Sequence, residues 1–193
     1  MEQLLLQLKQ LRLGHAATAL TLQQEQPGTY HDLSFEERLS LLLDSELQNR
    51  HQTRIRKLKQ QAKLRLNASV SQISYRGDRG LNKAQLSELL NGGYLHRKQN
   101  ILITGPTGAG KTYLACAFGS QACEQQHEVR YYRLKRLLDD LSTSRLDGTY
   151  RKQLQQLARK QLLILDDWGM EKLTQEHTGH LLEILEERYQ ESS

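Results

Sequence analysis

Eight consecutive residues near the middle of the chain have the types and spacing needed to hold a row of phosphates. They read GPTGAGKT and match G-x-x-x-x-G-K-[ST] at every fixed position: Gly105, Pro106, Thr107, Gly108, Ala109, Gly110, Lys111 and Thr112. The glycines allow sharp turns that point backbone N–H groups at an anion. The lysine can reach the β- and γ-phosphates and assist catalysis, and the threonine hydroxyl can ligate Mg²⁺. The run therefore predicts a nucleotide-phosphate site.

Two adjacent carboxylates supply a second set of candidate ligands. The run LLILDD is four apolar residues followed by Asp166 and Asp167, which is typical of a buried parallel strand that ends in acid. Because ligands bind outside the carboxyl ends of such strands, we expect Asp166 to be the protein carboxylate for Mg²⁺. Asp167 is the candidate to orient or deprotonate an attacking water. The pair favours hydrolysis over phosphate transfer to a small acceptor, although a solvated acidic turn gives the same pattern.

Strands and helices alternate around these motifs. The runs NILITG, EVRYYRL and QLLILDDWG predict three strands. Helices are expected from Lys111 to about Gln125, over most of residues 135–159, and over TQEHTGHLLEILEERYQ. This alternation predicts an α/β fold of the P-loop NTPase type, in which a parallel sheet has helices on both faces.

The first third of the chain predicts helices only. Leucine spacing indicates helix over residues 1 to about 25, divided near Gly14, and QPGTYHD is a break. Ser34 and Glu37 have capping-box spacing at the start of a long helix. We therefore expect an N-terminal helical domain over residues 1–68, which binds DNA or a partner, and an ATPase core over residues 69–193.

Positive charge is concentrated in one stretch. The net charge of +5 includes +9 from residues 51–100, where eleven Lys and Arg face two Asp and Glu. Six of these cations fall within twelve residues: Arg54, Arg56, Lys57, Lys59, Lys63 and Arg65. On a helix, Arg56, Lys59 and Lys63 would share roughly one face, with Lys57 near it, which predicts contacts to DNA phosphates without strong sequence preference. An ordinary solvated helix face is the alternative.

The sequence lacks the patterns typical of membrane-spanning proteins, secreted proteins and cysteine-based metal or redox sites. No apolar run is long enough to cross a bilayer, and the N-terminus lacks the basic region of a signal peptide. Cys116 and Cys123 match neither a metal knuckle nor a redox motif. These observations predict a cytoplasmic protein.

The combined motifs resemble one known family. The runs NILITGPTGAGKTYLACAFGSQAC, VRYYRLKRLLDDL and LLILDDWG, with the leader SFEERLSLLLDSELQNRHQTRIRKLKQQAKL, resemble the IstB-like ATPases. These are helpers of insertion-sequence transposition, related to the helicase loader DnaC within the AAA+ class. The resemblance implies that ATP or ADP binds at Gly105–Thr112 and Mg²⁺ at Thr112 and Asp166, with Asp167 as catalytic acid. It also implies duplex-DNA binding, self-association on DNA and contact with a transposase.

The chain also departs from the AAA+ pattern. Most AAA+ proteins have Glu where this chain has Asp167, and the shorter side chain predicts slow turnover. The sequence ends at YQESS, where a sensor strand, arginine fingers and a helical lid are expected, so we expect the C-terminal lid to be absent and hydrolysis to be impaired. Two other functions remain open: a DnaC-like helicase loader, and a non-catalytic DNA-binding protein that uses bound nucleotide as a structural clip.

Overall fold

The computed structural model describes residues 1–73 and 82–189. The chain divides into two compact units, Met1–Arg56 and Lys57–Ser193, and the division falls inside the longest helix. Most of the predicted turn SQISYRGDRG, together with Arg76 and Arg79 of the basic stretch, lies outside the described residues. No helix among the described residues is both long and apolar enough to span a membrane.

The first unit is built from helices. In chain order they are α1 (Glu2–Gln10), α2 (Gly14–Glu25), α3 (Pro27–Tyr30) and α4 (Phe35–Ala62), the last of which continues into the second unit. The capping box is confirmed: the Ser34 N–H donates to Glu37 Oε2 at 2.7 Å, and the Glu37 N–H donates to Ser34 Oγ at 3.2 Å. These bonds fix the first residue of α4 because they satisfy N–H groups that the helix itself cannot.

A buried carboxylate links α2 to α4 within the first unit. Glu46 of α4 accepts from the N–H groups of His15 at 2.9 Å and Ala16 at 3.2 Å, at the start of α2. Arg50 Nε donates to its other oxygen at 2.8 Å. Burial raises the pKa of Glu46, but these hydrogen bonds and the Arg50 charge outweigh it and hold the pKa below its ordinary value. Glu46 therefore acts as the N-terminal cap that the sequence of α2 lacks.

The second unit contains the other helices and strands of the described residues. They are a 3₁₀ turn (Val70–Gln72), α5 (Lys83–Leu90), α6 (Gly93–His96), α7 (Lys111–Glu124), β1 (Val129–Arg133), α8 (Leu134–Leu146), α9 (Tyr150–Ala158), β2 (Leu162–Asp166) and α10 (Gln175–Arg188). The strands pair in parallel, from Val129 opposite Leu162 to Arg133 opposite Asp166. This register brings Arg133 to the same sheet edge as the acidic pair.

The two faces of the sheet contact different helices. Val129, Tyr131, Leu162 and Ile164 point towards α7 and form one core cluster with its buried cysteines. The alternate residues of both strands contribute to a second cluster with α8, α9 and α10. Because successive strand residues point to opposite faces, the prediction of helices on both sides of a parallel sheet is confirmed.

Helix α7 packs closely against the sheet at Gly119. A Cβ atom at this position would lie 2.8 Å from both Ile164 Cδ1 and Leu64 Cδ2. Real Cβ atoms do not approach other carbons this closely, so the helix lies nearer to the sheet than any larger residue would permit. This close packing sets the distance between α7 and β2.

The predicted strand NILITG is not formed. Residues 99–106 have no regular secondary structure, and Leu102 is 83% exposed. Among the described residues the sheet has two strands, β1 and β2. An apolar run indicates burial, but a strand also needs neighbouring backbone groups to bond, and here none of the described strands pairs with it. The break QPGTYHD is also partly helical, since α3 lies within it.

Helix α10 is anchored by a buried arginine. Arg188 Nη1 donates to the carbonyl oxygens of Leu157 at 2.6 Å and Lys160 at 2.8 Å, at the C-terminal end of α9. Burial lowers the pKa of Arg188 to about 10, which leaves it charged at neutral pH. A cation is favourable at this position because it binds carbonyls at the C-terminal end of α9, where the helix dipole is negative.

Candidate functional site

The predicted phosphate loop leads directly into α7. Gly108 and Gly110 have φ values of +82° and +90°, and Gly110 caps the helix that begins at Lys111. Such values favour glycine because a Cβ would strain the backbone. A Cβ at either position would meet nothing within 4 Å, so the loop borders open space. Unpaired N–H groups and the positive end of the helix dipole are therefore available to an anion.

Lys111 folds back across this loop. Its Nζ donates to the carbonyl oxygens of Gly105 at 2.8 Å and Pro106 at 2.9 Å. The loop itself therefore holds the ammonium group, which would have to leave these carbonyls to contact the phosphates of a nucleotide.

Thr112 and Asp166 meet at the end of β2, as the sequence predicts for two oxygen ligands of one metal. The Thr112 hydroxyl donates to Asp166 Oδ2 at 2.7 Å. Tyr131, from the neighbouring strand, donates its hydroxyl to the same oxygen at 2.7 Å. Burial raises the pKa of Asp166, but these hydrogen bonds, the Asp167 N–H and the charge of Arg65 together lower it below its ordinary value. The carboxylate is therefore ionised at neutral pH and able to bind a cation.

Asp167 lies one residue further on, in a left-handed conformation with φ +60°. Its Oδ2 is 3.7 Å from Arg65 Nη1 and 3.5 Å from Arg133 Nε. The candidate water-activating carboxylate thus lies between two guanidinium groups. It is also 39% exposed, so solvent reaches it.

Arg65 is placed at the acidic pair and not on a basic helix. Helix α4 ends at Ala62, and Lys63 has φ +50°, so the chain turns before Arg65. Leu64 then packs near Gly119 of α7, and Arg65 Nη1 lies 3.9 Å from Asp166 Oδ2. The expectation that Lys63 shares a helix face with Arg56 and Lys59 is therefore wrong, because the helix stops one residue too early.

The other predicted DNA contacts lie on or just beyond α4. Arg54, Arg56, Lys57 and Lys63 are exposed, whereas Lys59 is partly buried and its Nζ contacts Glu124 Oε1 at 2.8 Å. With about 100° between successive helical residues, Arg54 and Lys57 lie on one side of the buried stripe that contains Leu58. Arg56 and Lys59 lie on the other side. The cations therefore flank this stripe on both sides.

Two contacts with the acidic pair could not be recognised from the sequence. Tyr131 and Arg133 are two residues apart on β1, so their side chains lie on the same side of the strand. Tyr131 binds Asp166, and Arg133 contacts Asp167. The spacing of two was visible in the sequence, but the register between β1 and β2 was not.

The residues present fit a divalent cation that also binds phosphate. A carboxylate and a hydroxyl oxygen are the ligands that Mg²⁺ prefers, usually with oxygens from a bound phosphate. Within residues 1–73 and 82–189 no cluster of three or more His, Cys, Asp and Glu side chains could hold a metal. Thr112 and Asp166 would hold Mg²⁺ only together with oxygens from a nucleotide and water.

Comparison with known proteins identifies a family of ATP-binding proteins. The family model described as "IstB-like ATP binding protein" matches residues 6–193. The chain is 44% identical over 183 residues to "Insertion sequence IS1162 putative ATP-binding protein" of Pseudomonas fluorescens, covering 94% of this chain and 79% of the relative. It is 29% identical over 193 residues to "Insertion sequence IS21 putative ATP-binding protein" of Pseudomonas aeruginosa, covering 100% of this chain and 72% of the relative.

Proposed function

The chain belongs to the IstB-like ATP-binding protein family, and from this we propose that it is an ATP-dependent, DNA-binding regulator of transposition. The observation that carries the proposal is the contact between Thr112 and Asp166 at the N-terminal end of α7. It joins the phosphate loop to a carboxylate at the end of a parallel strand, which is the arrangement that nucleotide hydrolysis with a metal requires.

Each residue of the site has a defined task in this proposal. The loop Gly105–Gly110 presents N–H groups to the phosphates, and Lys111 moves its ammonium group from the loop carbonyls to the phosphate oxygens. Thr112 and Asp166 would hold Mg²⁺, which would supply positive charge to offset the charge of the phosphates. Tyr131 keeps the Asp166 carboxylate in place by its hydrogen bond.

Asp167 orients the attacking water and accepts its proton. Its side chain is one methylene shorter than that of Glu, and its carboxylate already contacts two guanidinium groups that a water would have to displace. Both features predict slow hydrolysis. Slow turnover suits a switch, in which the bound nucleotide controls assembly on DNA and contact with a transposase.

The exposed cations of the basic stretch supply the DNA affinity. Arg54, Arg56, Lys57 and Lys63 make no ion pair with any described residue, so their charge is available to phosphates. Contacts of this kind give affinity with little sequence preference, and the affinity falls steeply between about 50 and 200 mM salt.

One observation favours a second candidate function. Because Asp167 is paired with Arg65 and Arg133, the nucleotide could serve as a structural clip in a non-catalytic DNA-binding protein.

A DnaC-like helicase loader would use the same site, and a preference for single-stranded over duplex DNA would identify it.

The proposal is tested by nucleotide binding and hydrolysis of the full chain. We expect binding of ATP that depends on Mg²⁺, a slow ATPase rate that duplex DNA changes, and loss of binding in Lys111→Ala. Lys152→Ala, which changes an exposed lysine of α9, is the matched control. Binding without any hydrolysis would support the structural clip, and absence of nucleotide binding would refute the proposed function.

A further inference from the structure

A large cleft opens beside the acidic pair, at the carboxyl end of β1. Its volume is about 1090 Å³, and all its lining residues belong to the second unit. Seven Lys and Arg line it against four Asp and Glu. The excess of positive charge in one concave surface attracts an anion, and the volume slightly exceeds the usual range for small-molecule pockets.

The Lys and Arg side chains that line the cleft differ in whether they already form ion pairs. Lys63, Arg136 and Lys172 are exposed and have no ion-pair partner among the described residues. Arg65 and Arg133 are paired with Asp167 at 3.7 and 3.5 Å. Free cations and weakly held guanidinium groups in the same cleft indicate a ligand with several negative charges.

The two pairs with Asp167 are easily exchanged. Arg65 and Arg133 are 41% and 52% exposed, and Asp167 is 39% exposed. Ion pairs in contact with solvent are weak, because water and salt screen both charges. A phosphate offers guanidinium groups shorter, bidentate hydrogen bonds than those seen here. An incoming phosphate should therefore win the competition for both arginines.

We propose that this cleft binds the phosphodiester backbone of DNA, and that bound phosphates draw Arg65 and Arg133 away from Asp167. The proposal rests on the proposed function for the role of Asp167 as the water-activating carboxylate. DNA binding then frees that carboxylate from both guanidinium groups, so that it can contact the attacking water. The cleft is a second DNA contact in addition to the exposed cations of α4, and it connects DNA to the nucleotide site.

The competition gives a test that depends on binding alone. If Asp167 holds the two arginines back, Asp167→Asn should raise the affinity for a short labelled duplex by about 2–10-fold, which is the strength of one or two exposed ion pairs. Asp140→Asn is the matched control, since Asp140 lines the same cleft and has no ion-pair partner among the described residues. It removes the same charge without releasing an arginine.

Fluorescence anisotropy without nucleotide measures these affinities. We expect Asp167→Asn to bind more tightly than Asp140→Asn, and this difference to vanish when Arg65→Ala and Arg133→Ala are also present. Equal affinities for the two single variants would overturn the proposal. The proposal would also fail if an acidic peptide displaced the labelled duplex at a lower concentration of negative charge than unlabelled DNA does. Thermal unfolding of each variant checks that the fold is intact.

Failure of this inference can be distinguished from failure of the proposed function. If the chain binds no nucleotide but Asp167→Asn still increases DNA affinity, the cleft assignment stands and the proposed function falls. If ATP is bound and hydrolysed but the two carboxylate variants behave alike, the proposed function stands and DNA does not compete with Asp167.

Discussion

The Thr112 hydroxyl and the Asp166 carboxylate are 2.7 Å apart although 54 residues separate them in the chain. The contact requires α7 to begin at the same edge of the sheet at which β2 ends. Close packing at Gly119 and the parallel pairing of β1 with β2 produce that alignment. The geometry of the site therefore depends on the packing of α7 against β1 and β2.

Changing Asp166 to Asn should remove the metal dependence of ATP binding. The amide cannot supply the negative charge that a divalent cation needs, so Mg²⁺ should no longer improve affinity. We expect a loss of about 10-fold or more in the presence of Mg²⁺, corresponding to one interaction with a charged group, and little change when the metal is chelated. Titration of a fluorescent ATP analogue with and without chelator measures both values. If Mg²⁺ improved the affinity of the variant as much as that of the parent chain, Asp166 would not be a metal ligand.

Tyr131→Phe should destabilise the second unit. Tyr131 is 7% exposed, and its hydroxyl donates to the charged Asp166, so its loss should cost about 1.5–3 kcal/mol. Tyr132→Phe is the matched control, because the Tyr132 hydroxyl makes no hydrogen bond with a described residue. Urea unfolding compares the two variants. If both cost the same, the bond between Tyr131 and Asp166 contributes nothing to stability.

Gly119→Ala should also destabilise the second unit, by about 1–3 kcal/mol, since the new methyl group would overlap Ile164 and Leu64. Gly179 provides the comparison: it lies within α10, and a Cβ there meets nothing within 4 Å. Gly179→Ala should stabilise by about 0.5–1 kcal/mol, because alanine is the better helix former. The difference in sign is the essential result, measured by thermal or urea unfolding. Two stabilising substitutions would show that α7 does not pack closely on the sheet.

The stability of the first unit should depend on pH through Glu46. Burial raises the pKa of this carboxyl, but hydrogen bonds from Arg50, Ala16 and His15 lower it further, so the folded-state pKa lies below the ordinary value of 4.5. A lowered pKa in the folded state means that the stabilisation is complete above about pH 4.5 and is lost as the pH falls through the folded-state value. Glu46→Gln should be less stable at neutral pH and lose less stability on acidification.

The control for Glu46 is Glu36→Gln, which removes an exposed carboxylate from the same helix, where it makes no hydrogen bond with a described residue. Helix content followed by circular dichroism between neutral and acidic pH compares both variants with the parent chain. A profile of Glu46→Gln that is identical to that of the parent would contradict the role of Glu46 as a cap.

Local features of the fold could be predicted from the sequence because they depend on neighbouring residues. The capping box of Ser34 and Glu37 joins residues three apart, and the start of α7 at Lys111 follows from the glycines before it. The pairing of Thr112 with Asp166 was also predictable, because a phosphate loop and a strand-end acid lie at the same edge of a parallel sheet. The strand NILITG was predicted wrongly, since its formation depends on neighbours that no local pattern specifies.

The sequence alone thus identified the residues that we propose to hold a triphosphate and a metal: the loop Gly105–Thr112 and the acid Asp166. The tertiary structure decided what surrounds them. The register of β1 against β2 brings Tyr131 to Asp166 and Arg133 to Asp167, and the end of α4 at Ala62 turns Arg65 towards both carboxylates. Residue types and short spacings carry the chemistry of a motif. Contacts between distant segments depend on how backbones pair and where helices stop, and these are fixed only when the whole unit packs.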